Sequence, residues 1–371
     1  MAQSFDVCIR GSGIVGRTLA LLLARERLRV ALVEPALPLA SEDVRAYALN
    51  AASRALLESL RAWPAPEHAT PVREMRVQGD QGAEVSFQAE NHEQQALAWI
   101  VDVPALETLL ADAVHFQPLI ERVVQLHAAP LTVVCEGRAS STRAAFGVEF
   151  SIQPYGQHAI AARLDCELPH GQVARQWFRP DSVLALLPLG GAQGHGVALV
   201  WSVAQERAPE LLALPVEEFC AQLADASQHA LGALQLTSER RSWPLQQARA
   251  NRWSGRMADG NSWALAGDAA HTVHPLAGQG LNLGLADARE LAQVLQGRAH
   301  WRSVGDLHLL RRYERARKTG ILSMGLASDG LQQLFMRQGA PWQALRNWGL
   351  QGFARSGPLK AWAMRQAMGG H

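Results

Sequence analysis

Cysteine is scarce: the 371 residues hold four (Cys8, Cys135, Cys166 and Cys220), none in a CxxC pair or at metal-binding spacing from a histidine. That excludes a disulfide framework and a zinc cluster, and it fits a reducing compartment. No uncharged apolar run reaches the roughly 18 residues needed to span a membrane. No basic, then apolar, leader precedes the first strand, so no secretory signal is expected and the expected location is the cytoplasm. Charge of one sign is also lacking. The formal net charge is +1 with 19% charged residues, so no overall field attracts nucleic acid. Internal repeats and low-complexity linkers are absent. One local absence stands out, since Leu331 to His371 contains no Asp or Glu but carries Arg337, Arg346, Arg355, Lys360 and Arg365 beside Phe335, Trp342, Trp348, Phe353 and Trp362. Such a stretch reads equally as a helical cap and as a surface for peripheral contact with an anionic membrane, at its inner face.

What is present is a chain 48% hydrophobic, long enough for two domains or one large domain with an insertion. Phe5 to Arg10 reads as a strand, Ile14 to Arg27 as a Leu- and Ala-rich helix, and Arg29 to Glu34 as a second strand. The turn between the first strand and the helix is GSGIVG. There Gly11 permits a tight turn, Gly13 lets a pyrophosphate approach the backbone, and Gly16 lets the helix pack on the strand. Glu34 follows Gly13 by about 20 residues, where an acid can accept from ribose hydroxyls.

The most informative stretch is GDAAHTVHPLAGQGLNLG, Gly267 to Gly284. Asp268 closes an apolar run, and a carboxylate there needs a donor partner, which sugar or ribityl hydroxyls supply. The Pro- and Gly-rich turn leads into a helix from Leu281 to Leu295. A helix start offers free N–H groups and a positive dipole end to an electron-rich ligand. The two glycine-rich turns together suggest two ends of one dinucleotide.

Between them, the pattern predicts a helix from Arg45 to Leu60, a hairpin over residues 73 to 88, a helix from Pro104 to Val114 and a strand at Leu131 to Gly137. Strand-like runs fill Gln157 to Trp201, followed by a helix at Val216 to Ala230, further strand at Ala233 to Ala250, and helices beyond Leu307. The fold class is therefore α/β, a Rossmann-like dinucleotide-binding part with an inserted antiparallel β-sheet and a C-terminal helical region. The expected division is 1–70, 96–150 and 255–306 for the cofactor-binding domain, 71–95 and 151–254 for the substrate domain, and 307–371 for the helical region.

These segments, in this order, resemble the FAD-dependent aromatic hydroxylases of the p-hydroxybenzoate hydroxylase superfamily, and within it the ubiquinone-biosynthesis hydroxylases of the UbiH/UbiF/VisC type. The resemblance covers nearly the whole chain. It rests on GSGIVG with Glu34, DVRAYALNAASRALLESL around Arg45, FRPDSVLALLPL, HPLAGQGLNLGLAD, and the ending LRNWGL and PLKAWAMRQAMG. It implies that FAD is the cofactor, Asp268 holds the ribityl chain and Arg45 lies by the pyrophosphate. It further implies that Gly278, Gly280, Leu281 and Asn282 serve the flavin ring, whose pyrimidine edge the backbone of the last three would face. Pro275 would fix the turn above the ring.

The implied reaction is hydroxylation of the aromatic ring of a prenylated phenol. NADPH or NADH is the reductant, O2 the co-substrate and a C4a-hydroperoxyflavin the oxygen donor, with a ubiquinone-biosynthesis complex as partner. His271, His274, Tyr47 and Tyr155 are the candidate bases. His271 reads rather as a hydrogen-bonding structural residue, and His274 is carried forward with Pro275 as the catalytic pair. The family's Ala-Asp-Gly segment appears here as Cys135-Glu136-Gly137, with Arg143 in the arginine place. Glu136 is thus the expected cofactor-side acid, one methylene longer and reaching about 1 Å further. Val114 to Leu131 is shorter than the family pattern. Two rival readings follow: a non-catalytic FAD-binding scaffold of a quinone-biosynthesis complex, and a flavin monooxygenase of another aromatic substrate. The halogenase WxWxIP motif does not occur.

Overall fold

A computed structural model describes residues 4–34, 43–79, 84–90, 95–272 and 279–336, with side chains as far as residue 321. His274, Pro275, Gly278 and the tail beyond residue 336, expected above to serve the site or a contact surface, lie outside the described residues. Among those described, three sheets form.

The first sheet has the strand order Ser254–Arg256, Ser262–Leu265, Leu131–Val134, Val7–Arg10, Val30–Val33 and Ile120–Val123. Its pairs are parallel except the outermost, Ser254–Arg256 with Ser262–Leu265. Val7, Cys8 and Ile9 are fully buried, as expected of a parallel strand covered on both faces. Helix Ile14–Arg25 packs its Leu19 and Leu23 into the same core as helix Gln279–Gln296, which contributes Leu285, Leu291 and Leu295. The two helices approach closely at Gly284, where a Cβ would stand 2.7 Å from Val15 Cγ2. The short segment ahead of Leu131 still supplies a strand: Ile120–Val123 closes the sheet edge beside Val30–Val33.

The second sheet is the large one, built on the 17-residue strand Phe150–Cys166. This strand pairs with Gly196–Ala204 on one side and Arg241–Ala250 on the other, with a register shift between Pro154 and Gln157. One face buries Ile160, Leu164, Trp177, Leu184, Trp201 and Val203 against helices Arg207–Ala213 and Val216–Ala226, whose Leu211, Phe219 and Leu223 complete that core. Alternation puts Ala159, Ala161, Ala185 and Ser202 on the opposite face. The sheet is antiparallel with one exception, Val173–Arg179 beside Glu74–Gln78, which run parallel. The hairpin Glu74–Gln78 with Glu84–Gln88 forms as expected.

A third, three-stranded sheet (Ala46–Leu49, Ala98–Asp102, Ala69–Val72) was not foreseen. Ala46–Leu49 fell within the helix expected from Arg45. It is extended because AYAL pairs antiparallel with AWIVD, and the helix proper runs only over Ala51–Ser59. Asn50 sets that start by accepting the Ser53 N–H at 2.9 Å, an N-cap. Similarly, the helix expected to reach Ala230 ends at Ala226, because Gln228 and His229 adopt φ of 55° and 52°. The last helix is continuous over Leu307–Met336, and among the described residues no helix is long and apolar enough to cross a membrane.

Candidate functional site

The first βα turn does what its glycines predict. Gly11 has φ +105°, and a Cβ on it would lie 2.5 Å from the Cys135 carbonyl oxygen; a Cβ on Gly16 would lie 1.9 Å from the Gly11 carbonyl oxygen. Both positions are closed by neighbouring backbone. At Gly13 a Cβ would meet nothing within 4 Å. Gly13 is also the N-cap of helix Ile14–Arg25 and makes no side-chain cap, so the first-turn N–H groups face open space. A helix start of that kind can receive a phosphate. Glu34 ends the second strand, its own N–H donating to Val123 O at 2.9 Å. Its carboxylate is held only loosely, 3.8 Å from both Arg17 and Arg122, which leaves it free to accept from hydroxyls.

Asp268 sits in the short turn Gly267–Ala269, which follows strand Ser262–Leu265 of the parallel sheet. Its side chain is exposed, yet the chain around it removes enough hydration to raise its carboxyl above the ordinary range. His271, Arg138 and Arg45 oppose that rise electrostatically. Among the described residues no donor satisfies it. A partly desolvated carboxylate without a donor among these residues fits a hydroxylated chain.

Arg45 lies within electrostatic reach of Asp268, and its guanidinium is bound by the Asp43 carboxylate and donates to Tyr47 Oη at 3.3 Å. Asp43 is held below the ordinary carboxylate range by Arg45 and Arg163, against its desolvation. Sequence reasoning missed this acid beside the arginine.

Asn282 has a further task. Its Oδ1 accepts from Asn50 N at 3.0 Å and Ser53 Oγ at 2.7 Å, and its Nδ2 donates to Ala48 O at 2.8 Å. The side chain therefore locks the start of helix Gln279–Gln296 onto the segment after Arg45. Leu281 is buried, and a Cβ on Gly280 would meet nothing within 4 Å among the described residues.

Glu136 differs from an acid reaching outward. It accepts from Arg10 Nε, Ser140 Oγ and Thr142 Oγ1, each at 2.7 Å, and from Thr142 N at 3.3 Å. These contacts hold its carboxyl low despite partial burial. The longer side chain is consumed in fastening its own loop, which includes Gly137 at φ +76°. Arg143 carries that loop to the Asp268 turn: it donates to Ala269 O at 3.1 Å and Arg138 O at 2.9 Å, with its guanidinium carbon 3.5 Å from the centroid of the Phe150 ring.

His271 is structural, as the sequence suggested. It is buried, stacks on Trp253 at 5.0 Å, and its Nε2 lies 2.6 Å from Asp287 Oδ2. Asp287 itself was missed. The signal was available, since GLNLGLAD sets one carboxylate in an apolar helix face, where it must find donors.

Residues 121–322 match the FAD binding domain family. The chain belongs to that family. Over its whole length it is similar to the ubiquinone hydroxylases: 33% identical to ubiquinone hydroxylase UbiL of Rhodospirillum rubrum, covering 98% of this chain and 89% of that one. Against 3-demethoxyubiquinol 3-hydroxylase of Escherichia coli it is 29% identical, covering 99% of each. Among solved structures, PqsL of Pseudomonas aeruginosa in complex with 2-aminobenzoylacetate superposes with a TM-score of 0.76 at 23% identity, covering 94% of this chain and 100% of that one. The p-nitrophenol 4-monooxygenase PnpA of Pseudomonas putida superposes with a TM-score of 0.76 at 16% identity, covering 99% of each. These two likenesses show the shared fold.

Proposed function

We propose that this FAD-binding protein hydroxylates the aromatic ring of a prenylated phenol in ubiquinone biosynthesis, drawing electrons from NADPH or NADH and oxygen from O2. The observation that carries the reading is an Asp268 carboxylate with no donor among the described residues, on the turn after a parallel strand, in a chain similar over its whole length to ubiquinone hydroxylases. Bound FAD supplies the chemistry that side chains lack, passing electrons from the nicotinamide to oxygen.

The chain's own residues bind and orient. The N–H groups around Gly13 take the pyrophosphate, Glu34 the ribose, and Asp268 the ribityl hydroxyls. The N–H groups at Gly280, Leu281 and Asn282 stabilise negative charge at the pyrimidine edge by the helix dipole, with Gly278 shaping the same turn. Arg45, balanced by Asp43, lends positive charge nearby. Glu136 contributes by fixing the loop from which Arg143 reaches the Asp268 turn. His274 is proposed as the group that takes the phenol proton, and Pro275 as the residue shaping the turn. The large sheet with the Glu74–Gln88 hairpin is assigned to the substrate, and the acid-free tail 331–371 to peripheral membrane or complex contact at the cytoplasmic face.

The scaffold reading drew its support from Glu136 and the shortened middle. The four hydrogen bonds of Glu136 and the strand Ile120–Val123 support a local structural reading of both features. The test is a purified-protein assay with FAD, NADPH, a prenylated phenol and 18O2. A product with one 18O atom on the ring supports the proposal, and NADPH oxidation that the phenol neither stimulates nor couples to product counts against it.

A further inference from the structure

Behind the Asp268 turn lies a buried charge cluster with no part in the cofactor roles assigned above. Asp287, on helix Gln279–Gln296, is completely buried. Its Oδ2 accepts from Gly267 N at 2.9 Å and from His271 Nε2 at 2.6 Å, while its Oδ1 accepts from Arg317 Nε at 2.6 Å. A carboxylate only accepts, so His271 carries its proton on Nε2. Arg317 comes from the last helix and also donates to Leu283 O at 3.2 Å. Burying a carboxylate is costly unless it is paired and hydrogen-bonded. The Arg317 charge and two further donors meet that condition.

The placement of those bonds matters more than their number. Gly267 immediately precedes Asp268 and has φ +63°, a left-handed conformation in which its N–H points inward to Asp287. On the other side, Arg143 Nη1 donates to Ala269 O at 3.1 Å. The turn Gly267–Ala269 is thereby pinned at both flanks by buried charged side chains, while the carboxylate between them makes no bond among the described residues. The pinned backbone fixes the direction in which Asp268 projects.

We propose that Asp287 is a positioning residue that aims Asp268 at the ribityl hydroxyls of the cofactor, and that Arg317 holds Asp287 in place from the last helix. The inference rests on the cofactor reading above. A purely structural Asp287 would support the fold equally whether or not Asp268 is present; a positioning residue acts only through it. Coupling between the two residues separates these cases.

The experiment is a double-mutant cycle on the full chain, with apo-protein titrated with FAD and followed by flavin fluorescence. Asp287→Asn is expected to weaken FAD binding by about tenfold in the wild-type background, and by less than about twofold in an Asp268→Ala background. Equal losses in both backgrounds overturn the positioning role. Should Asp287→Asn fail to fold, Arg317→Lys keeps the charge while losing the planar fork, and the same cycle decides with that variant. A wild-type chain that binds no FAD overturns the cofactor reading and this proposal with it. Wild-type binding with an additive cycle overturns only the positioning role.

Discussion

A methyl group placed in turn on Gly16 and Gly13 separates the two demands on the first βα turn. On Gly16 the added Cβ would stand 1.9 Å from the Gly11 carbonyl oxygen, whereas an ordinary C···O contact is about 3.3 Å. Helix Ile14–Arg25 would have to retreat by more than about 1 Å, and overpacking of that kind costs about 1–3 kcal/mol. On Gly13 the added Cβ meets no protein atom within 4 Å, and φ −73° with ψ −176° suits any residue. The stability cost of Gly13→Ala is therefore only the weaker N-cap, below about 1 kcal/mol. If a pyrophosphate occupies that open space, the methyl obstructs it. FAD binding should then weaken by at least about tenfold, or ~1.4 kcal/mol. Thermal unfolding of the apo-proteins and FAD titration by fluorescence read the two effects separately. The expected pattern is a destabilised Gly16→Ala and a stable Gly13→Ala with poor FAD affinity. A folded Gly13→Ala that binds FAD as tightly as wild type would refute the placement of the pyrophosphate.

Further expectations concern the acids and the tail. Asp268→Ala should bind FAD much more weakly than wild type in the fluorescence titration, and wild-type FAD affinity in that variant would sink the ribityl assignment. Because partial loss of hydration raises the Asp268 carboxyl and donated hydroxyl bonds favour its charged form, binding should release a proton. FAD affinity should then rise with pH through the raised value, and a profile that is flat, or falls as pH rises, contradicts this. Glu136 runs the other way: its lowered carboxyl contributes stability that is present above the ordinary carboxylate range and lost as pH falls through the folded value. Glu136→Gln should cost about 1–3 kcal/mol at neutral pH and flatten that acid limb in a pH series of thermal melts. Deleting residues from Leu331 onward should abolish binding to anionic liposomes; a folded truncation that still binds them argues against the membrane role of the tail.

The parallel sheet was legible because strands such as VCIR and VALV announce themselves as short, mainly apolar runs, and because Gly11 and Gly16 of GSGIVG each have a steric reason to be there. The large sheet was legible from its alternating strands. The three-stranded sheet was not, since AYAL is too short to show whether its period is 2 or 3.6, and its pairing partner AWIVD lies about 50 residues away. The site divides along the same line. Gly11, Gly13, Gly16, Glu34 and Asp268 could be proposed from sequence because each belongs to a local motif. Asp43, Asp287, Arg317 and the loop-holding role of Glu136 depend on contacts between distant segments, with Arg10 meeting Glu136 and Arg317 meeting Asp287 only after folding. Their charge invited a search for partners, but spacing alone could not name them.

The most direct test of the central claim is a mass-spectrometric profile of quinone-pathway lipids in the source organism. The gene would be deleted and then restored as wild type or as Asp268→Ala. The account predicts accumulation of a prenylated phenol short of one ring oxygen, relieved by the wild-type gene and not by the variant. An unchanged profile on deletion, or full restoration by Asp268→Ala, would contradict it.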